Sequence, residues 1–111
     1  MALAIVVLLA PANGVGEELV WRGACWSEGT AVRVPLAVLY FAQSASFGLA
    51  HLHGQPGGWI GVGLAGVLGL ISSLLRQSLG IKGSVIAHVI ADAVIFLAVL
   101  PFVVYTAWNV N

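Results

Sequence analysis

The chain has 111 residues, 60% of them apolar and only 7% charged, with a mean hydropathy of +1.05. A domain of this length buries only about 60–70% of its surface on folding, so this is the composition of an integral membrane protein and not of a water-soluble globule. Four Lys and Arg offset four Asp and Glu, which leaves no basic patch to neutralise phosphates and excludes nucleic acid as an expected partner.

Met1–Ala10 is apolar but too short to cross a bilayer, which takes about 20 residues, and it lacks the basic start of a signal peptide. Pro11-Ala12-Asn13-Gly14 predicts a break. Residues 16–28 then read as helix, so the two pieces form one broken crossing or a short span with a re-entrant segment. Cys25 is the single cysteine, so no disulfide forms within the chain. Residues 34–75 contain no Asp, Glu, Lys or Arg, about twice the ~20 residues of one crossing. His53-Gly54-Gln55-Pro56-Gly57-Gly58 lies near the middle and predicts a turn. The pattern is therefore a helical hairpin, with spans over about 35–52 and 59–75. A last span runs over about 84–104 and ends near Pro101 and an interfacial pair, Tyr105 and Trp108.

The expected fold is an all-α integral membrane bundle of about four transmembrane helices, the first one broken, in a single domain over residues 1–111. Arg33, Arg76 and Lys82 fall on one side of this topology, which the positive-inside rule makes cytoplasmic.

Gly61-Val62-Gly63-Leu64-Ala65-Gly66 matches the spacing of a dinucleotide-binding loop. That loop needs a preceding strand and an acid about 20 residues later, and neither is present. Gly57, Gly61, Ala65 and Gly69, four residues apart, read better as a small-residue stripe for close helix packing. Such a stripe is also suited to self-association into a homo-oligomer.

The chemistry lies in the polar residues of apolar segments. Glu17, Glu18, Arg22, His51, His53, His88 and Asp92 all fall in or at the ends of such stretches. A charge at mid-membrane costs at least about 2.5–3.5 kcal/mol and by default marks a functional site. Glu18 and Arg22 share a helix face at i, i+4 and read as an ion pair; Glu17 is rotated by about 100° from that face. Phe47 and His51 are one turn apart. Ser84, His88 and Asp92 make a polar stripe on the last span. His53 lies about 200° from His51 and reads as a turn residue at the interface.

A carboxylate beside two histidines can deprotonate water and stabilise developing negative charge. Alternatively, Glu17, His51 and His88 supply three ligands to a metal such as zinc and leave a position for water. Non-enzymatic readings use the same residues as interhelical hydrogen-bonding groups or as a proton path. The simple topology leaves the histidines at unequal depths. His51 lies ~24 Å along its helix from Pro35, and His88 only ~6 Å from Ser84.

In order, E-E-x-x-x-R (Glu17, Glu18, Arg22), F-x-x-x-H (Phe47, His51) and H-x-x-x-D (His88, Asp92) resemble the motifs of the CPBP family of intramembrane proteases. This is the type II CAAX prenyl protease and Abi group, and the resemblance covers residues 15–95. It implies a peptidase of a bacterial or archaeal cell membrane, in contact with lipid and acting on a peptide or protein, lipidated in the prenyl branch. It also implies Glu17 as the base that activates water and His51 as its partner. His88 with Asp92 would form the oxyanion side, with Glu18 and Arg22 in support. The alternative expectation is a non-catalytic membrane immunity or partner-binding protein of the same family. Two departures stand out. Asp92 occupies a position held by asparagine in the prenyl branch, and an ionised aspartate cannot donate a hydrogen bond. The chain also begins almost at the glutamate motif, so a truncated member is expected.

Overall fold

The computed structural model describes residues 2–54 and 56–109, with the side chains of 2, 3, 5, 6, 99, 100, 103, 104 and 107–109 left aside. The side chain of Trp108, expected at the interface, falls outside the described set, as does Gln55 in the predicted turn.

All regular structure among the described residues is helical, in three continuous runs. The first comprises α1 (Ala2–Glu18), a π-helical turn (Leu19–Cys25) and α2 (Trp26–Ala31). The predicted break at residues 11–14 is absent: α1 continues through Pro11, Asn13 and Gly14. Proline and glycine are tolerated inside helices of this kind because neighbouring groups take up the freed backbone. The irregularity falls later instead. The π-turn widens the helix at Arg22, and its backbone C=O accepts a hydrogen bond from Arg76 Nε at 2.8 Å. The run stops where Arg33 takes a left-handed φ of 60°. Val34 N–H then bonds Gly29 O and Arg33 N–H bonds Thr30 O, the paired closure of a Schellman motif.

The second run, α3 (Leu36–Ala50), starts directly after Pro35 and ends at His51. The predicted turn follows, and helix resumes at Gly58. The third run, Gly58–Asn109, is continuous except at Gly80, whose φ of 75° and ψ of −175° are non-helical. That backbone region is essentially restricted to glycine. It divides the run into α4 (58–79) and α5 (81–109). A straight helix of 52 residues would be about 78 Å long, but the molecule's longest dimension is 56 Å. The arms fold back on one another, so that Leu64 and Leu68 of α4 line the same cavity as His88 and Ile95 of α5. Two further expectations are thus corrected. A loop between spans two and three is replaced by a single glycine hinge, and α5 continues through Pro101 instead of ending there.

Four separate helices were expected, whereas three runs are found. Among the described residues, only the third contains a stretch, Gly58–Ala98, long and apolar enough to cross a membrane; α3 is shorter at 15 residues.

Close approach between runs uses small residues, as expected, but the tight contact of α3 with α4 involves Gly48 and Gly66, both outside the predicted stripe. A Cβ placed on Gly48 of α3 would lie 2.7 Å from Val62 O and 3.2 Å from Gly66 Cα. Ser44 Oγ–H donates to Gly66 O at 2.7 Å across the same contact. Within the stripe, Gly61, Ala65 and Gly69 are buried and Gly57 is exposed.

The distribution of polarity is inverted relative to a soluble protein. The fully buried side chains include Glu18, Arg22, Ser72, Ser84 and His88, while Leu8, Phe41, Trp59, Ile60 and Phe102 are exposed. Apolar surface faces outward and polar groups pair within, the arrangement suited to lipid as solvent.

Candidate active site

Glu18 and Arg22 are the foundation of the site. Both are 0% exposed, and Arg22 Nη1 donates to Glu18 Oε1 at 3.0 Å. Two buried charges need further partners to offset desolvation. Arg22 Nη2 donates to Gly69 O at 2.7 Å, and its guanidinium lies 4.7 Å from the centre of the Phe47 ring, within cation–π range. Gly69 leaves room for this approach, because a Cβ would stand 3.0 Å from Nη2 and 3.3 Å from the Phe47 ring. Glu18 Oε1 also accepts from His88 Nδ1 at 2.8 Å. The expected ion pair is therefore also the group that orients a histidine on α5.

That bond defines the tautomer of His88. With the Nδ1 proton directed at Glu18, the neutral ring carries its lone pair on Nε2. Nε2 stands 3.4 Å from Glu17 Oε2 and 3.6 Å from Asp92 Oδ1. His51 follows the same pattern from the opposite wall. Its Nδ1 donates to Phe47 O at 2.9 Å, so the neutral ring carries its lone pair on Nε2, 3.7 Å from Glu17 Oε2. Phe47 is fully buried between the rings, 4.5 Å from His51 and 5.4 Å from His88 by ring centroids.

Glu17 is thus the point where α1, α3 and α5 meet. Its Oε2 is shielded from solvent and accepts no hydrogen bond from the described protein groups. The unequal depths of the histidines are bridged in part by two features: α5 begins at 81, ahead of the expected start at 84, and the His51 ring folds back one turn to Phe47 O.

Glu17, His51, His88 and Asp92 border a single cavity of about 520 Å³. Its remaining wall is mainly apolar, with Leu64, Leu68, Ile95 and Phe96. His53 is exposed in the turn and is not among the residues lining this cavity. Asn13 was not singled out from the sequence, yet it lines the cavity and its Nδ2–H donates to Asp92 Oδ2 at 2.9 Å. The available signal was its spacing: it lies one helical turn before Glu17, on the same face of α1.

As to a metal, no three His, Cys, Asp or Glu side chains among the described residues form a group able to hold one.

The model of the type II CAAX prenyl endopeptidase Rce1-like family matches residues 1–94. The chain belongs to this family. No curated protein and no solved structure matches it. The Rce1-like family comprises membrane-embedded proteases of the CAAX type, and the matched stretch contains every residue of the constellation described above.

Proposed function

We propose that this Rce1-like chain is an intramembrane endopeptidase that hydrolyses a peptide bond in or next to the bilayer through water activated by Glu17. The observation that carries this reading is that His51 and His88, from different helices, both present Nε2 to Glu17 Oε2, an oxygen without a hydrogen-bond donor. A carboxylate oxygen in that position is free to take a proton from water. The contacts of 3.4–3.7 Å leave the loose spacing common before substrate binds.

In the proposed reaction, a water oxygen attacks the scissile carbonyl carbon as Glu17 removes its proton. The carbonyl π-electron pair moves onto oxygen, and the oxyanion is stabilised on the His88–Asp92 side. Collapse restores the carbonyl and breaks the C–N bond, and the proton held by Glu17 passes to the departing amine. His51, its Nε2 lone pair beside Glu17, steadies the carboxyl group while it carries the proton. Glu18 and Arg22 keep His88 oriented. The apolar wall accepts the hydrophobic part of a peptide substrate, and the end bearing Arg33, Arg76 and Lys82 faces the cytoplasm.

The test is turnover of an internally quenched peptide ending in a CAAX sequence, farnesylated and unmodified, by the full chain in proteoliposomes. Glu17→Gln is expected to lower kcat by about 10²–10⁴-fold, the usual contribution of a general base, while leaving the melting temperature near wild type. Unchanged turnover in that variant would refute the reading.

A further inference from the structure

We propose that Asn13 donates the hydrogen bond to the oxyanion that Asp92, as an aspartate, cannot supply. This rests on the peptidase reading above. The oxyanion needs an N–H or O–H aimed at the carbonyl oxygen. An ionised Asp92 is an acceptor only. His88 directs its Nδ1 proton to Glu18 at 2.8 Å, so it offers Nε2–H only as the imidazolium. Of the polar side chains bordering the cavity, namely Asn13, Glu17, His51, His88 and Asp92, the Asn13 carboxamide alone keeps an N–H for the cavity in every protonation state, since the Nδ1 protons of His51 and His88 are directed at Phe47 O and Glu18.

Its orientation is defined by the chemistry of its partner. A carboxylate oxygen 2.9 Å away accepts from Nδ2–H and repels the amide oxygen, so the –NH₂ end faces Asp92. One N–H is used in that bond. The second remains for a carbonyl oxygen in the cavity. The polar arc runs Asn13, Asp92, His88, Glu17, with steps of 2.9, 3.6 and 3.4 Å. It puts donor and base at its two ends, one helical turn apart on α1, so a carbonyl group held between them offers its carbon to water at Glu17 and its oxygen to Asn13. Asp92 is then the positioning residue and Asn13 the catalytic one. As the C–O bond to water forms, the carbonyl electron pair moves onto oxygen and is met by Asn13 N–H. When the C–N bond breaks, that pair re-forms the carbonyl and the contact loosens.

The experiment measures kcat and KM separately on the two peptides for wild type, Glu17→Gln, Asn13→Ala, and Asn13→Ala combined with Asp92→Asn. Asn13→Ala is expected to lower kcat by about 10²–10³-fold, as loss of one oxyanion donor does, with KM within about threefold. The added Asp92→Asn returns an amide to the cavity and is expected to recover at least about tenfold of that loss. A merely structural Asn13–Asp92 tie gives no such rescue, because the double variant lacks the tie as well. If alanine lowers the melting temperature, Asn13→Asp, of the same size, takes its place with the same expected loss. A kcat within threefold of wild type, or no rescue by Asp92→Asn, overturns the proposal. An active wild type with inactive Glu17→Gln and undiminished Asn13→Ala removes Asn13 alone. A wild type without turnover of either peptide removes the peptidase reading and the role of Asn13 together.

Discussion

Arg22 holds the site together through three contacts made by one rigid guanidinium: the Glu18 carboxylate, the Gly69 carbonyl and the Phe47 ring. Lysine carries a single charged nitrogen and cannot reproduce that fork. Arg22→Ala leaves Glu18 buried without its counter-charge, a change that costs about 3–5 kcal/mol for pairs of this kind. The expected outcome is a marked fall in melting temperature in detergent, with turnover lost because His88 loses its anchored partner. Glu18→Gln is a milder change. It keeps the shape of the side chain and an acceptor for His88 Nδ1, so it is expected to retain more stability than Arg22→Ala. A melting curve for Arg22→Ala that overlays wild type would show that the buried pair is dispensable. At this scale the sequence was informative about which residues matter. It could not show that Glu18 serves His88 as well as Arg22, since that second bond joins residues 70 positions apart.

Among the elements, the contact between α3 and α4 depends on the absence of a side chain at Gly48. Alanine at Gly48 would place Cβ 2.7 Å from the Val62 carbonyl oxygen, and backbone cannot move aside as a flexible side chain can. Gly48→Ala is expected to destabilise the protein by about 1–3 kcal/mol, the usual cost of overpacking. Gly63→Ala on the same face-to-face helix pair is the control, because a Cβ there meets nothing within 4 Å. Paired thermal melts check this, and equal stability of the two variants would contradict the packing argument. Gly80 acts differently. A Cβ there also meets nothing within 4 Å, but φ is 75°, so its demand is on the backbone alone. The sequence predicted a break between residues 75 and 84 but not its form, because Ser78, Gly80, Gly83 and Ser84 suit a loop as well as a hinge at one glycine. Only the return of α5 toward α1 and α3 requires the chain to turn at that point.

The whole molecule presents apolar side chains outward around a polar interior, and its family is membrane-embedded. The proposed orientation rests on the charges of Arg33, Arg76 and Lys82. Lys82 is the single lysine and is exposed. If its end faces the cytoplasm, a membrane-impermeant amine reagent is expected to spare Lys82 in intact cells and to label it in inverted vesicles, read by mass spectrometry of the Lys82 peptide. Labelling in intact cells would reverse the proposed topology.

Apolar composition, the turn at residues 53–58 and the three ordered motifs were properties of the sequence itself. Each depends on residue type and on spacings within a few helical turns, so helical class and family were legible without coordinates. The continuity of α1 through Pro11, the hinge at Gly80, the Gly48–Gly66 contact and the meeting of Asn13 with Asp92 were decided by tertiary structure alone. The last two arise between segments far apart in the chain, where local periodicity carries no information. Helices packed with their polar faces inward must satisfy buried charges with whichever groups the fold brings within reach.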